Sequence, residues 1–174
     1  VNDLGVIFKV KTDGTGYLEI LHFAGVSNGS SPYGSLISDG TFLYGMTGNG
    51  GSYGYGTVFK IMHDGTGYVK LLDFNKWTNG SYPLGSLISD GVFLYGMTSE
   101  GGVSNFGTIF KIKPDGTGYL KLYDFSGIPD GSQPNGYLIT DGVFLYGMTD
   151  AGGTIGYGTI FKIMTNGTGY IKLK

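Results

Sequence analysis

The sequence predicts an all-β protein, a β-propeller built from four-stranded antiparallel blades of 51 residues. Three observations lead there. The chain repeats itself in register: Phe8, Phe59, Phe110 and Phe161 correspond, as do Lys9, Lys60, Lys111 and Lys162, and Tyr17, Tyr68, Tyr119 and Tyr170. A period of about this length marks a propeller, a solenoid or an array. Each unit contains four short runs of Phe, Tyr, Ile, Leu and Val divided by glycine-bearing turns, and nowhere does helical i, i+3, i+4 spacing last beyond a turn. Finally, one run per unit is apolar on both faces, with Phe93, Tyr95 and Met97 on one side and Val92 and Leu94 on the other. A strand buried on both faces belongs to a sheet sandwiched between two others. Small four-stranded sheets packed face to face are propeller blades. A β-solenoid is the rival, but its repeats are usually shorter and lack two tight turns per unit.

The unit beginning at Gly85 illustrates the elements in order. Residues 85–88 are a short apolar strand, closed by Ser89-Asp90-Gly91, a hairpin-type turn. Residues 92–98 form the second strand, and a loop with the double glycine Gly101-Gly102 follows. Residues 107–112 are the third strand, Pro114-Asp115-Gly116-Thr117-Gly118 turns the chain, and residues 119–125 are the fourth. The same reading gives a half blade with its connecting loop over 1–33, then blades over 34–84, 85–135 and 136–174. Three blades are too few to close a ring, since propellers have about four to eight. Open sheet faces and edges are association-prone. The expectation is therefore completion by further repeats or by self-association into an oligomer or filament. Val1 falls inside a repeat unit, which points to a processed protein or a piece of a longer array.

Composition narrows the function classes. The 35 glycines sit at fixed turn positions between apolar runs rather than in low-complexity sequence. A net charge of −2, with basic residues spread one or two per strand, offers no footprint for nucleic acid. No apolar run is long enough to span a membrane as a helix. Without cysteine the redox compartment stays open.

The pattern Leu-Ile-x-Asp-Gly, Phe-Leu-Tyr-Gly-x-Thr, Gly-Gly, Gly-Thr-Ile/Val-Phe-Lys-Ile and Asp-Gly-Thr-Gly-Tyr covers essentially the whole chain and resembles the GloVer (Gloeo/Verruco-type) tandem-repeat family. Met46, Met97 and Met148 stand where that family's run suggests Thr. The double glycine is also similar to that of kelch blades. The resemblance implies a propeller in a bacterial, secreted or surface-anchored protein, and it supplies no catalytic residues.

Two loops differ between units while the turns stay constant. One loop carries Ala24-Gly25-Val26-Ser27, Asn75-Lys76-Trp77-Thr78 and Ser126-Gly127-Ile128-Pro129; the other carries Ser52-Tyr53-Gly54-Tyr55, Val103-Ser104-Asn105-Phe106 and Thr154-Ile155-Gly156-Tyr157. In an antiparallel blade both exit at the same end, which makes that end the candidate recognition face. Its ligand-binding candidates are Trp77, Tyr82, Tyr33, Tyr53, Tyr55, Phe106, Tyr157, Asn28 and Asn79, with Trp77 foremost as the sole tryptophan. Rings beside amides suit a glycan or a protein partner; the same rings could instead pack between blades. Asp13, Asp64, Asp115 and Asn166 invite a calcium site. Calcium needs six to eight oxygens, and one carboxylate per turn fits an Asx-turn instead. The Asn-Gly-Ser/Thr triplets at Asn28, Asn79 and Asn166 are glycan-acceptor sequons in a suitable host, and in a bacterial protein they read as turns. His22 and His63 make no metal cluster or nucleophile–base pair. No cofactor and no enzymatic activity are expected. The four in-register lysines read as packed stems whose charges reach water.

Overall fold

Each complete unit folds into a four-stranded antiparallel sheet in the computed structural model, which describes residues 4–174. The first three residues of the predicted half blade lie outside the described residues. The half blade pairs β1 (Val6–Lys9) with β2 (Leu18–His22). Blade 1 is β3 (Ile37–Ser38), β4 (Phe42–Thr47), β5 (Thr57–Met62) and β6 (Val69–Asp73). After a single helical turn, α1 (Lys76–Asn79), blade 2 is β7 (Ile88–Ser89), β8 (Leu94–Thr98), β9 (Thr108–Ile112) and β10 (Leu120–Asp124). Blade 3 is β11 (Ile139–Thr140), β12 (Phe144–Thr149), β13 (Thr159–Met164) and β14 (Ile171–Lys172). Strand order in each sheet follows chain order, as hairpin connections require. The molecule is a β-propeller array of three blades and a half.

Two local differences from the sequence expectation have physical reasons. The first strand has two residues in every blade, and in blades 1 and 2 the residues ahead of it lie against the neighbouring unit. The Ser35 amide donates to Ser86 Oγ of the next blade at 2.8 Å. At Gly85 the approach is so close that a β-carbon would overlap the Gly136 carbonyl, which only glycine tolerates. The helical turn α1 was not expected. It forms where Lys76 replaces the Gly25 and Gly127 of the sister loops, both of which adopt positive φ and close a Gly25–Gly29 or Gly127–Gly131 bridge. Lysine disfavours that conformation, so the loop closes through Thr78 and Asn79 amides onto the Asn75 carbonyl.

The core lies between the sheets and is the same interface written repeatedly. Tyr44, Met46 and Val58 on the leading face of blade 1 cluster with Leu87, Leu94, Phe110 and Ile112 on the trailing face of blade 2. Tyr95, Met97 and Ile109 meet Leu138, Leu145, Phe161 and Ile163 in the same way. Ile7 of the half blade meets Phe59 and Ile61. Within each interface a phenylalanine just past the fourth strand stands edge-on to the third-strand phenylalanine: Phe23–Phe59, Phe74–Phe110 and Phe125–Phe161, with centroids 5.5, 5.3 and 5.4 Å apart.

The in-register lysines do more than reach water. Lys60 Nζ lies 4.6 Å from the Phe42 ring centroid and donates to the Pro114 carbonyl of the next blade at 3.1 Å. Lys111 repeats this with Phe93 at 4.5 Å and the Thr165 carbonyl at 3.1 Å. Each is a charge-assisted tie from one blade's third strand to the next blade's outer turn.

Candidate functional site

The two ends of the blades are chemically different. At the turn end, Asp39 Oδ1 accepts the Thr41 and Phe42 amides, both at 2.8 Å, while Oδ2 accepts the Tyr44 hydroxyl at 2.7 Å. Asp90 with Tyr95 and Asp141 with Tyr146 repeat the arrangement. The Phe144 amide, the Tyr146 hydroxyl and the Val143 amide together hold the Asp141 carboxyl down to about 2. Burial, with the hydrogen bond to aspartate, pushes the Tyr44 and Tyr95 hydroxyls up. In the outer turns, Asp13, Asp64 and Asp115 each accept the amide and hydroxyl of the threonine two residues on, and Asn166 does the same with its amide oxygen. These are Asx-turns. Among the described residues, no three His, Cys, Asp or Glu side chains gather as a metal-binding group. The one hydrogen bond of the His63 ring among the described residues is with Ser38 Oγ, at 3.0 Å.

At the loop end a rigid frame holds the variable residues out. Asn79 Oδ1 accepts the Asn75 amide at 2.6 Å and its Nδ2 donates to the Asp73 carbonyl at 3.2 Å. Asn28 does the same with the Ala24 amide at 2.6 Å and the His22 carbonyl at 3.0 Å. Asp130 takes the part in the third copy, accepting the Ser126 amide at 3.0 Å. Asn28 and Asn79 are therefore loop staples, and their amides are not presented outward as the sequence reading supposed. Their backbone carbonyls accept the Tyr68 hydroxyl at 2.9 Å and the Tyr119 hydroxyl at 3.3 Å. The second loop is footed by Asp73, which accepts the Ser52 amide and pairs with Lys70 at 2.9 Å. Asp124 with Val103 and Lys121 matches it.

The frame exposes apolar side chains beside small hydroxyl residues such as Ser27, Thr78, Ser104 and Thr154. Val26, Trp77 and Ile128 occupy one register position and all project into solvent; so do Tyr53 and Ile155 at another, and Val103 beside them. Trp77 is 64 % exposed, with Lys76 Nζ 5.1 Å from its ring. Tyr55 and Tyr82 instead pack edge to face at 5.9 Å, joined by the Tyr82 amide donating to the Tyr55 carbonyl at 3.0 Å. Phe106 is partly exposed and lies against Gly127. Tyr157 stands almost free on the open face of blade 3.

One groove brings two of the candidates together. Tyr33, Tyr82, Leu84, Asn49, Ser99 and Glu100 line an open depression of about 450 Å³ between blades 1 and 2. Tyr33 is its exposed wall, and Ser99 Oγ is tied to the Tyr82 carbonyl at 2.9 Å. Trp77 is not among the lining residues. Sequence reasoning missed Leu84, Asn49 and Glu100. Their signal was variation at fixed register: Tyr33, Leu84 and Asn135 correspond, as do Asn49, Glu100 and Ala151.

The architecture and the loop-end groove define a repeat protein of the β-propeller class. Residues 1–93 and 89–174 each match the Gloeobacter/Verrucomicrobia repeat, and the chain belongs to that family. Among solved structures it is similar to a chain in the crystal structure of a nidogen/laminin complex, with a TM-score of 0.68 at 18 % identity, over 97 % of this chain and 56 % of that one. It is also similar to the tricorn protease (TM-score 0.57, 15 % identity, 98 % and 15 % covered). TolB from Acinetobacter baumannii is a third (TM-score 0.57, 14 % identity, 97 % and 37 % covered). At such identities the likeness is one of fold, and this chain spans about half or less of each. No curated protein matches the sequence. Among the described residues no helix is long and apolar enough to cross a membrane.

Proposed function

We propose that this is a non-catalytic, extracellular repeat protein whose loop-bearing end binds a glycan, with a protein partner as the second reading. The observation that carries it is the division of labour between register positions. Positions that keep an Asp or Asn oxygen tie the loops down, whereas positions whose side-chain class changes between copies hold the exposed Val26, Tyr53, Trp77, Val103, Ile128 and Ile155. Variable side chains on a rigid scaffold are how recognition surfaces are built.

Within that end, the groove is the best glycan seat. The Tyr33 ring offers a face on which a sugar's C–H surface stacks, and Asn49 and Glu100 offer acceptors and a donor for hydroxyls. A few polar groups converging beside apolar walls is the usual character of a small-ligand site. The protein-partner reading is favoured by the crest of Val26, Trp77 and Ile128, since exposed aromatics are typical interface anchors. The extracellular setting rests on the resemblance to secreted and surface-anchored bacterial repeat proteins.

A glycan array followed by calorimetry tests the reading, using Tyr33→Ala and Trp77→Ala. Loss of binding by at least about tenfold in Tyr33→Ala alone assigns the groove. The same loss in Trp77→Ala alone assigns the crest. Unchanged affinity in both removes the groove and the Trp77 crest as the binding surface.

A further inference from the structure

The leading face of blade 3 is built to be covered. Its Tyr146, Met148 and Ile160 correspond to Tyr44, Met46 and Val58 of blade 1 and to Tyr95, Met97 and Ile109 of blade 2. In those two blades the following blade buries all six side chains; Met46 and Met97 are 4 % and 2 % exposed. Met148 is 62 % exposed, and Ile160, Ile139 and Tyr137 around it are exposed too. Two hollows of about 470 and 360 Å³ open here and share Met148 and Ile160. A β-carbon on Gly34 or Gly85 would run into the backbone of the next blade, whereas one on Gly136 would meet no atom of the described residues. Lys162 is poised like its counterparts, 4.4 Å from the Phe144 ring centroid, yet it has no hydrogen-bond acceptor among the described residues.

The complementary surface is at the other end of the same chain. The trailing face of the half blade carries Phe8, Val10 and Tyr17, which correspond to Phe110, Ile112 and Tyr119, residues that face an inner blade. Phe8 and Val10 are about half exposed, and so is Tyr17, which already pairs with Phe8 at 5.3 Å between centroids. The carbonyl at the register position of Pro114 and Thr165 is that of Thr12, in an exposed turn.

We propose that blade 3 docks the half blade of a second copy of this chain, head to tail. Met148 and Ile160 then cover the Phe8–Tyr17 ring pair, and Lys162 donates to the Thr12 carbonyl of the second copy. The contact continues an interface that the chain already forms twice, between blades 1 and 2 and between blades 2 and 3. Such a contact is heterologous, so it closes into a ring or extends as a filament. Ligand binding at the loop end is not needed for it.

Sedimentation velocity over a concentration series tests this with the 174-residue chain and two surface variants, Met148→Asp and Phe8→Asp. Thermal melts check that each variant folds, and Val10→Asp replaces Phe8→Asp should the latter not fold. The wild-type chain is expected to associate with rising concentration, and each variant alone to associate at least about tenfold more weakly. An equimolar mixture of the two variants keeps one intact joint and is expected to stop at a dimer. Lys162→Met is expected to weaken association several-fold. A wild-type chain that stays monomeric at its highest soluble concentration overturns the proposal and leaves the face to a further repeat. Association that survives Phe8→Asp and Val10→Asp but not Met148→Asp also overturns it, because blade 3 faces would then be pairing with one another.

Discussion

The positions whose hydrogen bonds close a turn or a loop keep an Asp or Asn oxygen from copy to copy. Asp64 and Asn166 show what the position needs: both place an oxygen where it accepts the amide and hydroxyl of the threonine two residues on. Asp64→Asn is therefore expected to keep the turn closed, with only a small drop in melting temperature at pH 7 from loss of the carboxylate. The carboxylates still matter in acid. Asp13, Asp39, Asp64, Asp90, Asp115 and Asp141 are all held below the ordinary value near 4. A depressed folded pKa contributes stability that is fully present above the unfolded value and disappears as pH falls through the folded one. Melting temperature should thus be flat from neutral pH down to about 5 and fall steeply between about 4 and 2. A flat profile across that lower window would remove the turn aspartates from the stability argument. Deeper in the frame, Thr98 and Thr108 are fully buried with hydroxyls 2.9 Å apart, and Thr98 also accepts the Thr108 amide. Thr98→Val strands those partners, for an expected loss of about 1–3 kcal/mol in urea unfolding. Gly80 has φ of 100° and a β-carbon there would run into both threonines, so Gly80→Ala should cost about 2 kcal/mol or more.

At the scale of elements, burial depends on which neighbour a strand has, not on its own sequence. Phe110 and Phe8 hold the same place in the third strand, but one is fully buried and the other is half exposed. Phe110→Ala should cost about 3–5 kcal/mol and Phe8→Ala under about 1, measured by denaturant unfolding of the monomeric chain. Strands two to four were legible in the sequence because short apolar runs and Asp-Gly turns are local signals. The first strand was read too long because residues near Gly85 answer to the next blade, a partner 51 residues away. The turn α1 escaped because it is set by a missing glycine rather than by any helical pattern. Of the candidate site, exposure of Trp77, Tyr33 and Tyr53 was legible as variation between copies. The staple role of Asn28 and Asn79 was not read, although Asp130 at the third position repeats the Asp-or-Asn exchange that marks the Asx-turns. The groove was illegible because it joins the connectors of two different blades.

For the whole molecule, the decisive property is that every blade carries both halves of one joint, and the joints are spelled alike. The trailing faces of blades 2 and 3 are Leu87, Leu94, Phe110, Ile112 and Leu138, Leu145, Phe161, Ile163, the same residue types in the same order. Removing residues 85–135 would set Tyr44, Met46 and Val58 against the second group, with Lys60 facing the Thr165 carbonyl. That shortened chain is expected to fold cooperatively with its remaining interfaces intact, which circular dichroism and calorimetry would check; a molten product would show that blades 1 and 3 are not interchangeable neighbours. The period of the protein is thus also a period of its gene. An exchange between two equivalent codons would drop or add one whole blade and set like residue types against like at the new seam, so the girth of the molecule is open to change in whole-blade steps.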